Sequence, residues 1–279
     1  MIQYGKTLKM IRKSRGFSQA ALCKGIMSRS NLSRFENQLY VPSFDKVLQL
    51  LERLTVTLDE FVYIDRGFLP SKYDYFYKKL IQAENYRQKE ELTEVAKQIA
   101  EYKEESIQFY ELFLLSQFAL LENDLPAILT KEDISNYMRP VLFEIENWLF
   151  YDFRRLNNFI QLFELDEAIF LYDRAITEFG KYEGFPKENN IKIHLSLNLG
   201  QLLLEQQQLV KAETYFNHAK QYARQQNKLY QELLSDLFIE KIIQQKKQLS
   251  PKDPLPTMLA YMKQIGYDAV VHSLMTYTK

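Results

Sequence analysis

The amino-acid sequence predicts an all-α protein, with a small N-terminal unit of short helices followed by a larger array of long ones. Three observations carry this expectation. Only 8 Gly and 8 Pro occur in 279 residues, too few for the tight turns of an all-β chain. Apolar residues recur at helical spacing along most of the length. Gly and Pro interrupt that pattern near Gly67–Ser71, which sets a boundary between residues 1–66 and 67–279.

The first helix is expected over Tyr4–Ser14, where Tyr4, Leu8 and Ile11 share a face and Gly16 ends the run. Ser18 suits the N-cap of a second, Gln19–Lys24, which stops at Gly25. Ser28 caps a third, Arg29–Asn37, with Leu32 and Phe35 turned inward. Ser43 caps a fourth, through Leu54, whose apolar face is Val47, Leu50 and Leu51. A short fifth covers Leu58–Tyr63. The short glycine-containing turn between the second and third is what a helix-turn-helix requires. Beyond the boundary, helices are expected over 72–86, 90–104, 106–122, 131–137, 140–162, 165–180, 189–206, 209–226, 229–247 and 254–278. Breaks fall at Pro126, Pro140, Gly184–Pro186 and Ser250–Pro251.

Composition removes several function classes. No apolar run approaches the roughly 18–20 residues that span a bilayer, and no export signal opens the chain. A cytoplasmic protein without a membrane partner is expected. A single cysteine, Cys23, leaves neither an internal disulfide nor a Cys-based zinc site, and its place on the second helix suits a small residue near the core. His194, His218 and His272 lie far apart, without HExxH spacing, and there is no GxxxxGK[ST] or GxGxxG loop. No catalytic residue, metal site or cofactor is expected. Net charge is zero, yet residues 1–66 hold 11 basic and 6 acidic side chains, a balance of +5, and the first acid is Glu36. That asymmetry suits a phosphate-facing module on an acidic body.

An internal repeat is visible: Ala168, Tyr172 and Ala175 recur as Ala212, Phe216 and Ala219, 44 residues later. Leu199-Gly200 precedes the second copy, and Leu156 stands where the first would carry glycine. The pattern resembles the tetratricopeptide repeat, in which small residues let antiparallel helices approach closely and an aromatic fills between repeats. A TPR-like array and an ordinary helical bundle both remain open.

Residues 5–63 resemble an XRE/Cro-type helix-turn-helix domain. The match rests on Gly5–Leu22 (G-x-x-L-x-x-I-R-x-x-R-G-x-S-Q-x-x-L), Ser28–Asn37 (SRSNLSRFEN), Pro42-Ser43 and the closing Leu58-Asp59-Glu60-Phe61. The resemblance implies that the third helix enters the major groove, with Ser28, Arg29, Ser30, Asn31, Ser33 and Arg34 near base edges. Arg can pair with guanine and Asn with adenine, each good pair giving about 1–3 kcal/mol of discrimination. Gln19, Lys13 and Arg15 are expected at phosphates. Ser28 acts first as a cap. Arg12 and Glu36 match an arginine–glutamate pair of such domains and are expected to be mainly structural.

Taken whole, the chain resembles the Rgg/GadR/MutR regulators of Gram-positive bacteria. The resemblance implies a homodimer that binds double-stranded promoter DNA and holds a short signalling peptide on the concave face of its helical domain. Leu22-Cys23, the run Ser28–Glu36 and Asp59-Glu60-Phe61 carry it. On the repeat register the peptide face presents Phe153, Arg154, Asn157, Gln161, Asn198, Gln201 and Gln231. Amides can satisfy a peptide backbone, apolar side chains can supply pockets, and Arg154 can take a carboxylate. The alternatives are that these polar groups satisfy one another, or that the repeats bind a folded protein partner. Pro254–Lys279 is a candidate dimer element.

Overall fold

In the computed structural model, which describes residues 3–182, 184–185, 190–247, 255–268 and 271, hydroxyl caps open three of the first five helices. These are α1 (Tyr4–Ser14), α2 (Gln19–Cys23), α3 (Arg29–Glu36), α4 (Phe44–Arg53) and α5 (Leu58–Asp65). Ser18 Oγ accepts from Ala21 N, Ser28 Oγ from Asn31 N and Thr57 Oγ from Glu60 N, satisfying otherwise orphaned first-turn donors. Ser43 occupies the N-cap position of α4, but its side chain makes no cap bond; its hydroxyl instead bonds the Asp45 carboxylate and lowers that group's pKa. Leu8, Leu22, Leu32, Leu50, Leu51 and Phe61 close one small core, with Cys23 buried beside them.

The later helices are α6 (Lys72–Asn85), α7 (Lys89–Ala100), α8 (Ile107–Glu122), α9 (Lys131–Phe143), α10 (Phe150–Phe159), α11 (Leu165–Phe179), α12 (Ile191–Glu205), α13 (Leu209–Gln225), α14 (Leu229–Lys247) and α15 (Leu255–Gln264). Short 3-10 turns follow α10 and α11. All described elements are helical, and none is long and apolar enough to cross a membrane. The chain divides into two compact units, Met1–Lys79 and Leu80–Lys279.

Pro140 does not break the chain as its sequence position suggests. It lies inside α9, which runs on to Phe143. An internal proline costs a helix about 3 kcal/mol. Ile134, Met138 and Leu142 straddle it on one face and are fully buried, each contributing roughly 1.5–3 kcal/mol, so packing wins. The expected helix over 140–162 is therefore corrected to two elements with a loop at 144–149. Arg174 of α11 holds that loop by donating to the carbonyls of Phe143, Ile145 and Glu146 while lying over the Trp148 ring. Asp152 then accepts from Leu149 N at 2.8 Å and starts α10. The expected helix over 254–278 also ends early, at Gln264, because Gly266 turns the chain at φ +87. Residues 254, 269, 270 and 272–278 of that span lie outside the described residues.

The repeat is real in packing terms. Ala168, Tyr172, Ala175, Ala212, Phe216 and Ala219 are all buried. A Cβ placed on Gly200 would come within 2.7 Å of the Phe216 ring, so α12 and α13 meet at a distance only glycine permits. Phe216 then stacks on Phe238 of α14 at 4.7 Å, filling between successive pairs. In the first copy Leu156 replaces the glycine, and α11 packs on α12 and the turn after α10 instead of closing tightly on α10. Gly200→Val is expected to lower the unfolding midpoint of the intact protein, through about 1–3 kcal/mol of overpacking. An unchanged midpoint by calorimetry would show that the pair has room to spare.

Candidate functional site

Two sites emerge, one in each unit. In the first, α3 turns Leu32 and Phe35 into the core and leaves Ser28, Arg29, Ser30 and Arg34 exposed, with Asn31 and Ser33 half-buried. Helical periodicity produces this split, because Leu32, Phe35 and Glu36, three and four residues apart, share the inward face. Lys13 and Arg15 are exposed at the C-terminal end of α1. The Arg34 guanidinium lies 6.0 Å from the Tyr40 ring centre, which limits its rotamers at an exposed position.

The position of α3 is set by a buried ionic group. Arg12 donates from Nε to Glu36 Oε1 at 2.5 Å, from Nη2 to Oε2 at 2.9 Å, and from Nη1 to the Phe17 carbonyl at 2.7 Å. Side-chain exposure is 9% for Arg12 and zero for Glu36, so this is a desolvated bidentate pair and not a surface ion pair. Burial pushes the Glu36 carboxyl up, but the bonds from Arg12 and Gln19 outweigh it and hold its pKa below the ordinary carboxylate value. Gln19, expected at a phosphate, donates from Nε2 to Glu36 Oε2 at 2.8 Å, which adds the start of α2 to the Arg12–Glu36 group.

Two further residues, Arg53 and Gly5, shape this site. Arg53 of α4 reaches back to donate to the carbonyls of Leu22 (2.7 Å) and Lys24 (2.6 Å), satisfying the end of α2 and fixing the turn before α3. The partners lie about thirty residues away, so no periodic pattern announces them. A Cβ on Gly5 would sit 1.8 Å from the Phe35 carbonyl oxygen, so α1 and α3 touch main chain to main chain.

In the second unit α10, α12 and α14 are neighbours and form one layer. Along α12, from Ile193 to Leu204, every residue is buried except His194, Asn198 and Gln201, and the same face ends at Glu205. Their spacing of four, three and four places them on a single stripe. Asn198 Nδ2 donates to the Asn157 carbonyl at 2.9 Å, and Gln161 Nε2 to Gln201 Oε1 at 3.3 Å. These four expected amides are thus brought together and are partly satisfied by one another. Arg154 and Gln231 are half-buried on α10 and α14. Phe153 is corrected: it is fully buried against Trp148, Phe179 and Tyr182, with the Phe179 ring centre at 4.2 Å, so it belongs to the core and not to an accessible face. Desolvation lowers the His194 pKa, favouring neutral imidazole. Among the described residues no group of His, Cys, Asp and Glu is arranged to hold a metal ion.

Comparison with known proteins is consistent along the chain. Residues 78–275 match the family model described as HTH-type transcriptional regulator Rgg, C-terminal domain, and residues 8–61 match the helix-turn-helix model. Among solved structures, a transcriptional-regulator candidate from Listeria monocytogenes EGD-e superposes with TM-score 0.77 at 19% identity, covering 99% of this chain and 95% of that one. The SHP pheromone receptor Rgg2 of Streptococcus dysgalactiae superposes with TM-score 0.70 at 20% identity, over 99% and 98% of the two chains. PlcR of Bacillus thuringiensis, solved in complex with the peptide PapR7 and DNA, gives TM-score 0.71 at 13% identity, over 100% and 99%. At these identities the structures speak to fold.

Proposed function

The chain belongs to the Rgg family of helix-turn-helix transcriptional regulators, and from that premise we propose that a homodimer binds promoter DNA through α3 under the control of a short peptide. The family is one of regulators and not of enzymes. The observation that carries the DNA half is the α3 surface: Arg29, Ser30, Asn31, Ser33 and Arg34 lie outward on a helix pinned from behind by the Arg12–Glu36 pair. Ser28 both caps that helix and stands at its exposed N-terminal end, where backbone N–H groups favour a phosphate. Lys13 and Arg15 supply sequence-independent phosphate contacts.

The peptide half draws on the α10–α12–α14 layer, whose accessible stripe is polar and already organised. Asn157, Gln161, Asn198 and Gln201 would exchange their mutual bonds for a peptide backbone, with Arg154 and Gln231 at its flanks. A precedent for such a partner is the peptide in the PlcR complex. Peptide binding would act by shifting the geometry of the dimer, and with it the reach of the two recognition helices. A folded partner protein on the same face is the competing occupant. The residue boundary 1–66 for the DNA-binding domain and 67–279 for the sensing and dimerising domain belongs to this proposal.

Selection of genomic fragments by purified protein tests the DNA half. Wild type is expected to enrich a two-half-site sequence, and the double variant Arg29→Ala/Arg34→Ala to lose it while keeping its helical content. Lys13→Ala should instead weaken all sequences alike and reduce the slope of log affinity against log salt by about 0.9. Enrichment that survives the double variant would take α3 out of base reading.

A further inference from the structure

The paired amides of α10 and α12 form a ladder that is open at one end. Asn198 bonds Asn157 and Gln161 bonds Gln201, so the two stripes run in the same direction and in fixed register. At about 1.5 Å per helical residue, His194 lies about 6 Å before Asn198, and Phe150 about 10 Å before Asn157. Phe150, Arg154 and Asn157, at i, i+4 and i+7, share one face of α10. His194 and Phe150 therefore stand at the same end of the ladder, on helices in contact and about 4 Å apart along their length.

His194 is the polar member of the α12 stripe that no other side chain satisfies. Among the described residues its ring makes no hydrogen bond, ion pair or ring contact, whereas Asn198 and Gln201 are both bonded. It is half-buried, and desolvation keeps the imidazole neutral, with one nitrogen a donor and the other an acceptor. Phe150 belongs to a cup of three rings. Its centre lies 5.0 Å from that of Phe185 and 6.0 Å from that of Tyr182, and those two lie 5.8 Å apart. Tyr182 anchors the cup by packing on the core rings of Phe153 and Phe179. Phe185 N donates to the Tyr182 carbonyl at 2.8 Å, which closes the turn that carries both. Phe150 and Tyr182 are half-buried and Phe185 is 39% exposed, so the cup keeps an open apolar side.

We propose that this end of the ladder is a subsite for an aromatic side chain with a polar edge, a tyrosine of the bound peptide, whose ring packs on Phe150 and Phe185 and whose hydroxyl bonds His194. This rests on the peptide reading above and adds the chemistry of the ligand. The peptide backbone lies along the amides, and one side chain turns into the cup at their end. An aromatic ring with a hydrogen-bonding tip suits a wall that is apolar on one side and carries an unmet polar group on the other. A neutral imidazole both donates to and accepts from a phenol, so it favours tyrosine over phenylalanine.

The test uses full-length protein and equimolar pools of synthetic octapeptides, with retained species read by mass spectrometry. One pool carries a single tyrosine, a second replaces it by phenylalanine and a third by alanine. Wild type is expected to retain the phenylalanine pool about tenfold over the alanine pool, the effect of burying one ring. It should retain the tyrosine pool a further fivefold or so, the effect of one neutral hydrogen bond. His194→Leu should bring tyrosine and phenylalanine level while both stay above alanine. Phe185→Ala, which removes an exposed ring, should lower both aromatic pools toward alanine. Peptides retained without regard to the aromatic position would overturn the inference and leave the peptide reading standing. Tyrosine and phenylalanine retained alike by wild type would take His194 out of the subsite and overturn it equally. Retention of no peptide would overturn both readings and leave the face to a folded partner.

Ligand-free melting supplies an independent check. The His194 ring has no partner to lose, so His194→Leu should melt no lower than wild type. A variant that melts well below wild type would make His194 a structural residue and end the proposal.

Discussion

Glu36→Ala is expected to cost the N-terminal unit about 3–5 kcal/mol, the typical penalty for stranding one member of a buried ion pair. The variant leaves the Arg12 guanidinium desolvated, with only the Phe17 carbonyl as acceptor, and releases the Gln19 amide as well. Whole domains are stable by only about 5–15 kcal/mol, so α1–α5 should lose most of their protection against amide exchange. DNA retention should fall with it. Glu36→Gln, which keeps an acceptor but not the charge, should fall between the two. Acid should act in the same direction: because the folded-state pKa of Glu36 lies below its ordinary value, its contribution is present above that value and is lost as pH falls through the folded pKa. Protection of α1 and α3 that is unchanged in Glu36→Ala would mean that apolar contacts alone hold the recognition helix.

Phe153→Ala is expected to cost a similar amount, about 3–5 kcal/mol, as a large-to-small change in a packed core. The ring fills the space between Trp148, Phe179 and Tyr182, where an alanine leaves a cavity that rigid aromatic neighbours close only in part. Calorimetry of the full chain should show a markedly lower midpoint for the C-terminal unit. Asn198→Ala, one turn from the same layer but on its accessible side, should shift melting far less and should affect peptide retention. If Phe153→Ala altered peptide retention while melting stayed constant, the ring would belong to an open face after all.

Comparing these two sites shows where the sequence was informative. The ends of α1–α5 fall within one or two residues of expectation because local chemistry sets them: serine at caps, glycine beyond ends, and apolar spacing between. The outward set on α3 follows from the same periodicity. The bond from Gln19 to Glu36 was not legible, because a long amide on the first turn of α2 can turn toward solvent or back toward Glu36, and tertiary packing decides. Pro140 misled because its penalty is local whereas the three buried side chains that outweigh it gain their energy from distant partners. The ligand face was half legible. In the glycine-bearing second copy the expected Asn198 and Gln201 lie on one half-exposed stripe, but the first copy lacks that glycine, and its register put a core ring, Phe153, on the face.

The main-chain contact between Gly5 and Phe35 bears on how this protein can change its targets. Because the seat of the recognition helix is a backbone touching a backbone, its depth does not depend on which side chains lie on the outer face. Residues 29, 30, 31, 33 and 34 can be exchanged one at a time while the docking geometry stays constant. If those five positions read the bases as proposed, operator preference is free to drift between descendants of one ancestral gene, or to be reprogrammed by selection from a library there. Gly5 is the position such a library must leave alone.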